Sequence, residues 1–117
     1  MSKQILKQLN IKSSACNRLL KDKNYYDKEA QEQIQVIEKL KKANEDSAKI
    51  KKQEEVLQET LLMIPDCINR LKHYHSDLKK LLDEIEEQSI IDSQEFQNAK
   101  KVFDNIQNFL NEQEQKK

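Results

Sequence analysis

The stretch IKKQEEVLQETLLMIPDCINRLKHYHSDLKKLLDEI, residues 50–85, decides the fold. Alternating steps of four and three from Ile50 visit Ile50, Glu54, Leu57, Leu61, Ile64, Ile68, Leu71, His75, Leu78, Leu82 and Ile85, and nine of these eleven are aliphatic. A mean step of about 3.5 residues keeps one stripe facing a neighbour along the whole length, so this segment is a long helix built to pack on other helices. The only proline of the chain lies inside it, in Met63-Ile64-Pro65-Asp66-Cys67. Pro65 has no amide hydrogen for the Leu61 carbonyl and its ring crowds that oxygen. A bend or a local loosening is expected, at ~3 kcal/mol of helix propensity.

Upstream, the same stepping from Cys16 visits Cys16, Leu19, Lys23, Tyr26, Ala30, Gln33, Ile37 and Leu40, with Leu20, Ile34 and Val36 widening the stripe. The expectation is a first helix over about residues 10–43, its start falling between residues 3 and 12. Ala43-Asn44-Glu45-Asp46-Ser47 breaks the pattern. Asp46 or Ser47 can accept a hydrogen bond from the free amides that open the next helix. A connection this short makes the two helices antiparallel neighbours. The second helix is expected over residues 47–88, roughly 60 Å at 1.5 Å per residue. It ends in Asp83-Glu84 and Glu86-Glu87, whose charge opposes the macrodipole there.

Downstream, Ser89-Ile90-Ile91-Asp92-Ser93-Gln94-Glu95-Phe96 carries a helix start. Asp92 as N-cap with Glu95 three residues on approximates a capping box, and Ile91 with Phe96 forms the accompanying hydrophobic staple. Phe96, Ala99, Phe103, Ile106 and Leu110 then form the third stripe, which predicts a helix over residues 93–112 and a disordered polar tail over 113–117. The fold class predicted is all-α: one domain over 1–117, an antiparallel up-down-up three-helix bundle with long first and second helices and a shorter third. In that register residue 43−k lies near 47+k, and the third helix covers only the part of the hairpin beyond Pro65. Ile34, Ile37, Leu40, Ile50, Leu57 and Leu61 are left to a pair of helices, which leaves an apolar edge for a partner. The same register places Tyr25 and Tyr26 near the proline, with Tyr74 nearby and polar tips turned to solvent.

Composition narrows the chemistry. The chain of 117 residues has no glycine, and phosphate-cradling loops, nucleophile elbows and dinucleotide-binding turns all depend on glycine. Basic and acidic side chains balance at 21 each. They are unevenly shared: residues 1–45 hold 10 basic and 6 acidic, residues 46–88 hold 7 and 10, and residues 89–117 hold 4 and 5. No clustered basic face argues for nucleic acid, and no apolar run is long enough for a membrane span. A cytosolic protein is expected. Cys16 and Cys67 lack a Cys-x-x-Cys partner and read as buried free thiols. His73 and His75 are two apart on a helix and point about 200° from each other, so they do not share a metal. His75 falls on the packing stripe as a core-edge residue. No triad spacing appears, so no enzyme, metal or cofactor is expected.

Ile50-Lys51-Lys52-Gln53 through Val56-Leu57-Gln58-Glu59 to Met63-Ile64-Pro65-Asp66-Cys67, followed by Arg70-Leu71 and Asp77-Leu78, resembles the tubulin-specific chaperone A family, also called tubulin-folding cofactor A. Asn17-Arg18-Leu19-Leu20-Lys21-Asp22-Lys23, Tyr26 and Lys28-Glu29-Ala30 resemble that family's first helix, and Glu95-Phe96-Gln97-Asn98-Ala99-Lys100 with Val102 its third. The loop at residues 44–48 and the polar tail depart from it. The resemblance implies a three-helix bundle that captures β-tubulin during folding and dimer assembly, passes it to other tubulin-folding cofactors, and works in the cytoplasm and microtubule cytoskeleton without a nucleotide, as monomer or homodimer. The polar faces of the first two helices supply the candidate contact residues: Arg18, Tyr26, Lys51, Lys52, Gln53, Gln58, Asp66 and Arg70. The alternative from another class is a coiled-coil homodimeric adaptor, in which the uncovered stripe joins two copies.

Overall fold

Residues 2–116 are described in a computed structural model. They form α1 (Ser2–Lys42), α2 (Ser47–Glu84), α3 (Gln88–Ile91) and α4 (Gln94–Gln115), with no strand among them. The chain divides into two compact units. The hairpin unit is Lys21–Ile68 and the terminal unit is Met1–Leu20 with Asn69–Lys117.

The hairpin unit contains the α1–α2 turn. Its geometry explains how a chain without glycine ends a long helix. Asn44 takes φ 54, and the amides of Asn44 and Glu45 donate to the Lys41 and Leu40 carbonyls at 3.1 and 3.0 Å. This is a Schellman closure, with asparagine supplying the left-handed residue that glycine normally provides. Asp46 then caps α2 as anticipated, its side chain accepting from the Ala48 amide at 3.2 Å. Within this unit α1 and α2 are antiparallel: Ile34, Ile37 and Lys41 face Leu57, Gln58 and Glu54 across a groove, and Lys41 Nζ reaches Glu54 at 3.7 Å. α2 continues as helix through Pro65 without a break.

The terminal unit holds most of the deeply buried side chains. Leu9, Cys16, Leu71, Leu78 and Ile106 are fully enclosed. Ser13 is buried with its hydroxyl donating to the Leu9 carbonyl at 2.7 Å, which removes the cost of an unsatisfied polar group. α2 meets α4 through the His75 and Phe103 rings, stacked 4.3 Å apart at 10°.

Four boundaries differ from the sequence expectation. α1 begins at Ser2, one residue before the expected window of 3–12. α2 stops at Glu84 and not at 88, and a separate one-turn helix, α3, follows. Ser93, and not Asp92, is the N-cap of α4: its hydroxyl accepts from the Phe96 amide at 3.1 Å and donates to the Ile90 carbonyl at 2.6 Å, tying α3 to α4. Asp92 instead terminates α3 and accepts from the Gln88 side chain at 2.9 Å, which displaces the proposed Ile91–Phe96 staple from its register. The tail expected to be disordered is helical to Gln115; Lys117 lies outside the described residues.

Candidate functional site

The stripes read from the sequence fix which side chains remain available at the surface. Along α2 the stripe sinks inward as it proceeds: Ile50 and Leu57 are half-buried and Leu61 is exposed, whereas Leu71, His75 and Leu78 are buried. On α1 Cys16, Leu19, Ala30 and Ile37 are buried. Polar residues off these lines face water because the helical period puts them there.

In the hairpin unit Lys51 and Lys52 are exposed on the first turns of α2, Gln53 is half-buried, and Gln58 is exposed at the rim of a groove of about 330 Å³ lined by Ile34, Ile37, Leu57 and the Lys41–Glu54 pair. Asp66 is half-buried. Tyr26 is half-buried against Tyr25, ring edge to face at 5.5 Å and 74°. The Glu29 carboxylate, more than burial, pushes the Tyr25 phenol above its ordinary value, so this ring is a neutral hydrogen-bonding group at neutral pH.

In the terminal unit Arg18 and Arg70 are exposed and come together. They line one groove of about 400 Å³ with Leu19, Asn69, His73 and Tyr74. Tyr74, which the sequence reading grouped with Tyr25 and Tyr26, belongs to this unit and packs edge-on against His73 at 5.7 Å. His73 reaches Asp77 at 3.5 Å. His75 stands apart from it as a buried ring, as its place on the stripe predicts. Burial lowers the His75 pKa, and the nearby Phe103 backbone acts in the opposite direction without offsetting it. Neither Cys16 nor Cys67 is in a disulfide, and both are buried. Burial, then the Asp77 charge, pushes the Cys16 thiol up to about 11, which keeps it protonated and unreactive. No His, Cys, Asp and Glu cluster suited to a metal occurs among the described residues, and no helix described is long and apolar enough to cross a membrane.

The candidates omitted three conspicuous side chains. Leu62 is 70% exposed, Val36 45% and Met63 37%, all in the hairpin unit. The signal was present in Leu61-Leu62-Met63-Ile64, because four successive apolar residues wrap wider than one packing stripe can cover.

The sequence profile described as tubulin binding cofactor A matches residues 4–103. Tubulin-specific chaperone A of Bos taurus is 41% identical over 101 residues, covering 86% of this chain and 92% of that protein. The crystal structure of tubulin folding cofactor A from Arabidopsis thaliana superposes with a TM-score of 0.76 at 32% identity, over 91% of this chain and 98% of that one. RBL2P, a β-tubulin binding post-chaperonin cofactor, superposes at 0.72 with 30% identity, over 89% and 98%. Sequence and backbone agree over nearly the same span, and the chain belongs to the tubulin binding cofactor A family.

Proposed function

We propose that this chain is a non-catalytic tubulin-folding cofactor that binds β-tubulin intermediates and assists assembly of the tubulin dimer. The observation that carries the reading is the likeness to RBL2P, whose own description is of β-tubulin binding after the chaperonin. In this reading α1, α2 and α4 form the antiparallel three-helix bundle, α3 is a one-turn link, and the protein works in the cytoplasm with the microtubule cytoskeleton, beside other tubulin-folding cofactors.

The mechanism needs only surface. A client not yet paired with its partner exposes apolar area that aggregates, and a binder that covers it holds the client in solution. Helix faces suit this because they are formed before the client arrives and lose little entropy on binding. Arg18, Tyr26, Lys51, Lys52, Gln53, Gln58, Asp66 and Arg70 provide the polar contacts, and exposed Leu61, Leu62 and Met63 the apolar ones. Charge reversal at exposed Lys51 and Lys52 should weaken capture of purified β-tubulin while circular dichroism stays helical. Unchanged capture removes those two lysines from the surface.

The exposed Leu61-Leu62-Met63 run also favours a second reading, in which two copies of an adaptor bury it together. Sedimentation separates the two. A monomer that captures β-tubulin supports the cofactor, and an obligate dimer without capture supports the adaptor.

A further inference from the structure

Among the 21 basic residues of the chain only Arg18 and Arg70 are arginines, and both line the same groove. Each is the centre of an identical tripeptide: Asn17-Arg18-Leu19 on α1 and Asn69-Arg70-Leu71 on α2. The two leucines are buried, 5% and 0% exposed, and each fixes its helix face so that the preceding arginine emerges at the surface. A second groove of about 640 Å³ adjoins the first, lined by Asn10, Ile11, Ser14, Ala15, Arg18 and Tyr74. Arg18 and Tyr74 are shared by both.

The lining is unusual in its charge. The chain carries 21 Asp and Glu residues, yet among the described residues none lines either groove. Arg18 has no carboxylate within ion-pairing distance among the described residues, whereas Lys23, Lys41, Lys49, Lys79 and Lys100 each have one. Ile11 is 49% exposed and Tyr74 36%, which supplies an apolar floor next to the guanidinium. Arginine is the side chain that matches a carboxylate with two parallel hydrogen bonds, and lysine is not.

We propose that these adjoining grooves are the docking site for an acidic peptide segment, anchored by a carboxylate on the Arg18 guanidinium, with the positive charge of Arg70 beside it and an apolar side chain against Ile11 and Tyr74. That the segment belongs to the client rests on the reading of this chain as a β-tubulin cofactor; the chemistry of the groove does not. A nucleic acid is disfavoured because two arginines without a surrounding lysine stripe neutralise too few phosphates.

The test is fluorescence anisotropy at low salt, using a short labelled peptide of glutamates around one phenylalanine and its counterpart with glutamine for every glutamate. The acidic peptide should bind at least about tenfold more tightly than the glutamine peptide, and less tightly as salt is added. The pair Arg18→Gln and Arg70→Gln should weaken it about tenfold, Arg18→Lys with Arg70→Lys by less, and Lys39→Gln with Lys42→Gln, which removes the same charge at exposed positions of the hairpin unit, by much less than the arginine-to-glutamine pair. Equal binding of the two peptides, or arginine variants that bind as the parent does, overturns the proposal. Because both arginines are exposed, the variants should keep their helicity, and the lysine pair preserves charge and bulk if the glutamine pair does not fold. Capture of purified β-tubulin is measured alongside. A glutamine pair that loses the acidic peptide but still captures β-tubulin as well as the parent overturns the link to the client and leaves the cofactor reading standing. A parent chain that binds the acidic peptide but captures no β-tubulin overturns the cofactor reading and leaves the groove standing.

Discussion

The hairpin unit and the terminal unit share two helices but are held together by different means. Leu9, Cys16, Leu19, Leu71, Leu78, Ile90, Ala99, Ile106 and Leu110 are the buried apolar residues of the terminal unit, against Ala30, Ile37 and Cys67 in the hairpin unit. Conversely, Tyr25, Val36, Leu61, Leu62 and Met63 are exposed in the hairpin unit, and among the described residues only Ile11 and Tyr74 are large exposed hydrophobics in the terminal one. The terminal unit is stabilised by burial. The hairpin unit depends more on helix propensity, its turn and its side-chain pairs, which are individually weak. Regions with few buried apolar contacts open at lower cost, and binding surfaces are commonly drawn from them.

Core truncation is the sharpest way to break this contrast. Leu71→Ala or Ile106→Ala, at fully buried positions, should cost ~2–5 kcal/mol in urea unfolding. Leu57→Ala in the half-buried groove should cost less than about 2 kcal/mol, because less apolar area returns to water. Equal costs would mean that the hairpin unit is as firmly packed as the other. The next effect comes from Pro65, which lies within unbroken helix in the hairpin unit. Pro65→Ala restores an amide for the Leu61 carbonyl and should raise stability by up to ~3 kcal/mol, seen as a higher denaturation midpoint; a fall would show that the ring itself packs.

Smaller again is the turn. Asn44→Ala puts a β-carbon without a compensating side-chain hydrogen bond at positive φ and should cost ~1 kcal/mol, while Asn44→Gly should be tolerated or stabilising. The last prediction concerns pH and belongs to the terminal unit. Burial holds His75 below its ordinary value of 6.5. The folded protein then takes up this proton less readily than the unfolded chain, so the contribution is complete above pH 6.5 and is lost as pH falls through that value towards the folded one. His75→Phe, which preserves a ring against Phe103, should flatten this part of the pH–stability profile. An unchanged slope would place its origin elsewhere.

The stripes were legible because burial follows the helical period: every buried position on α1 from Cys16 to Ile37 and on α2 from Leu71 to Leu78 lies on or beside a line drawn from sequence. Helix ends were less legible. Asp92 and Ser93 are adjacent residues with similar capping chemistry, and which one caps α4 depends on where α3 finishes, a tertiary matter that periodicity does not encode. The polar tail is helical to Gln115 although no apolar stripe marks it. Glutamine and glutamate are good helix formers in themselves, and Gln107 bonds Asn111 at 3.0 Å one turn on. Of the candidate contact residues, the meeting of Arg18 and Arg70 requires two helices to be aligned to within one turn, which hairpin counting alone does not guarantee.

The two buried thiols have a practical consequence. Cys16 lies in the terminal unit and Cys67 in the hairpin unit. An alkylating reagent reaches such a sulfur only during moments when its surroundings part, so the pace at which each cysteine is modified times the opening of its own half of the protein. The natural sequence thus carries a stopwatch in each unit, and adding a client should slow whichever one it covers.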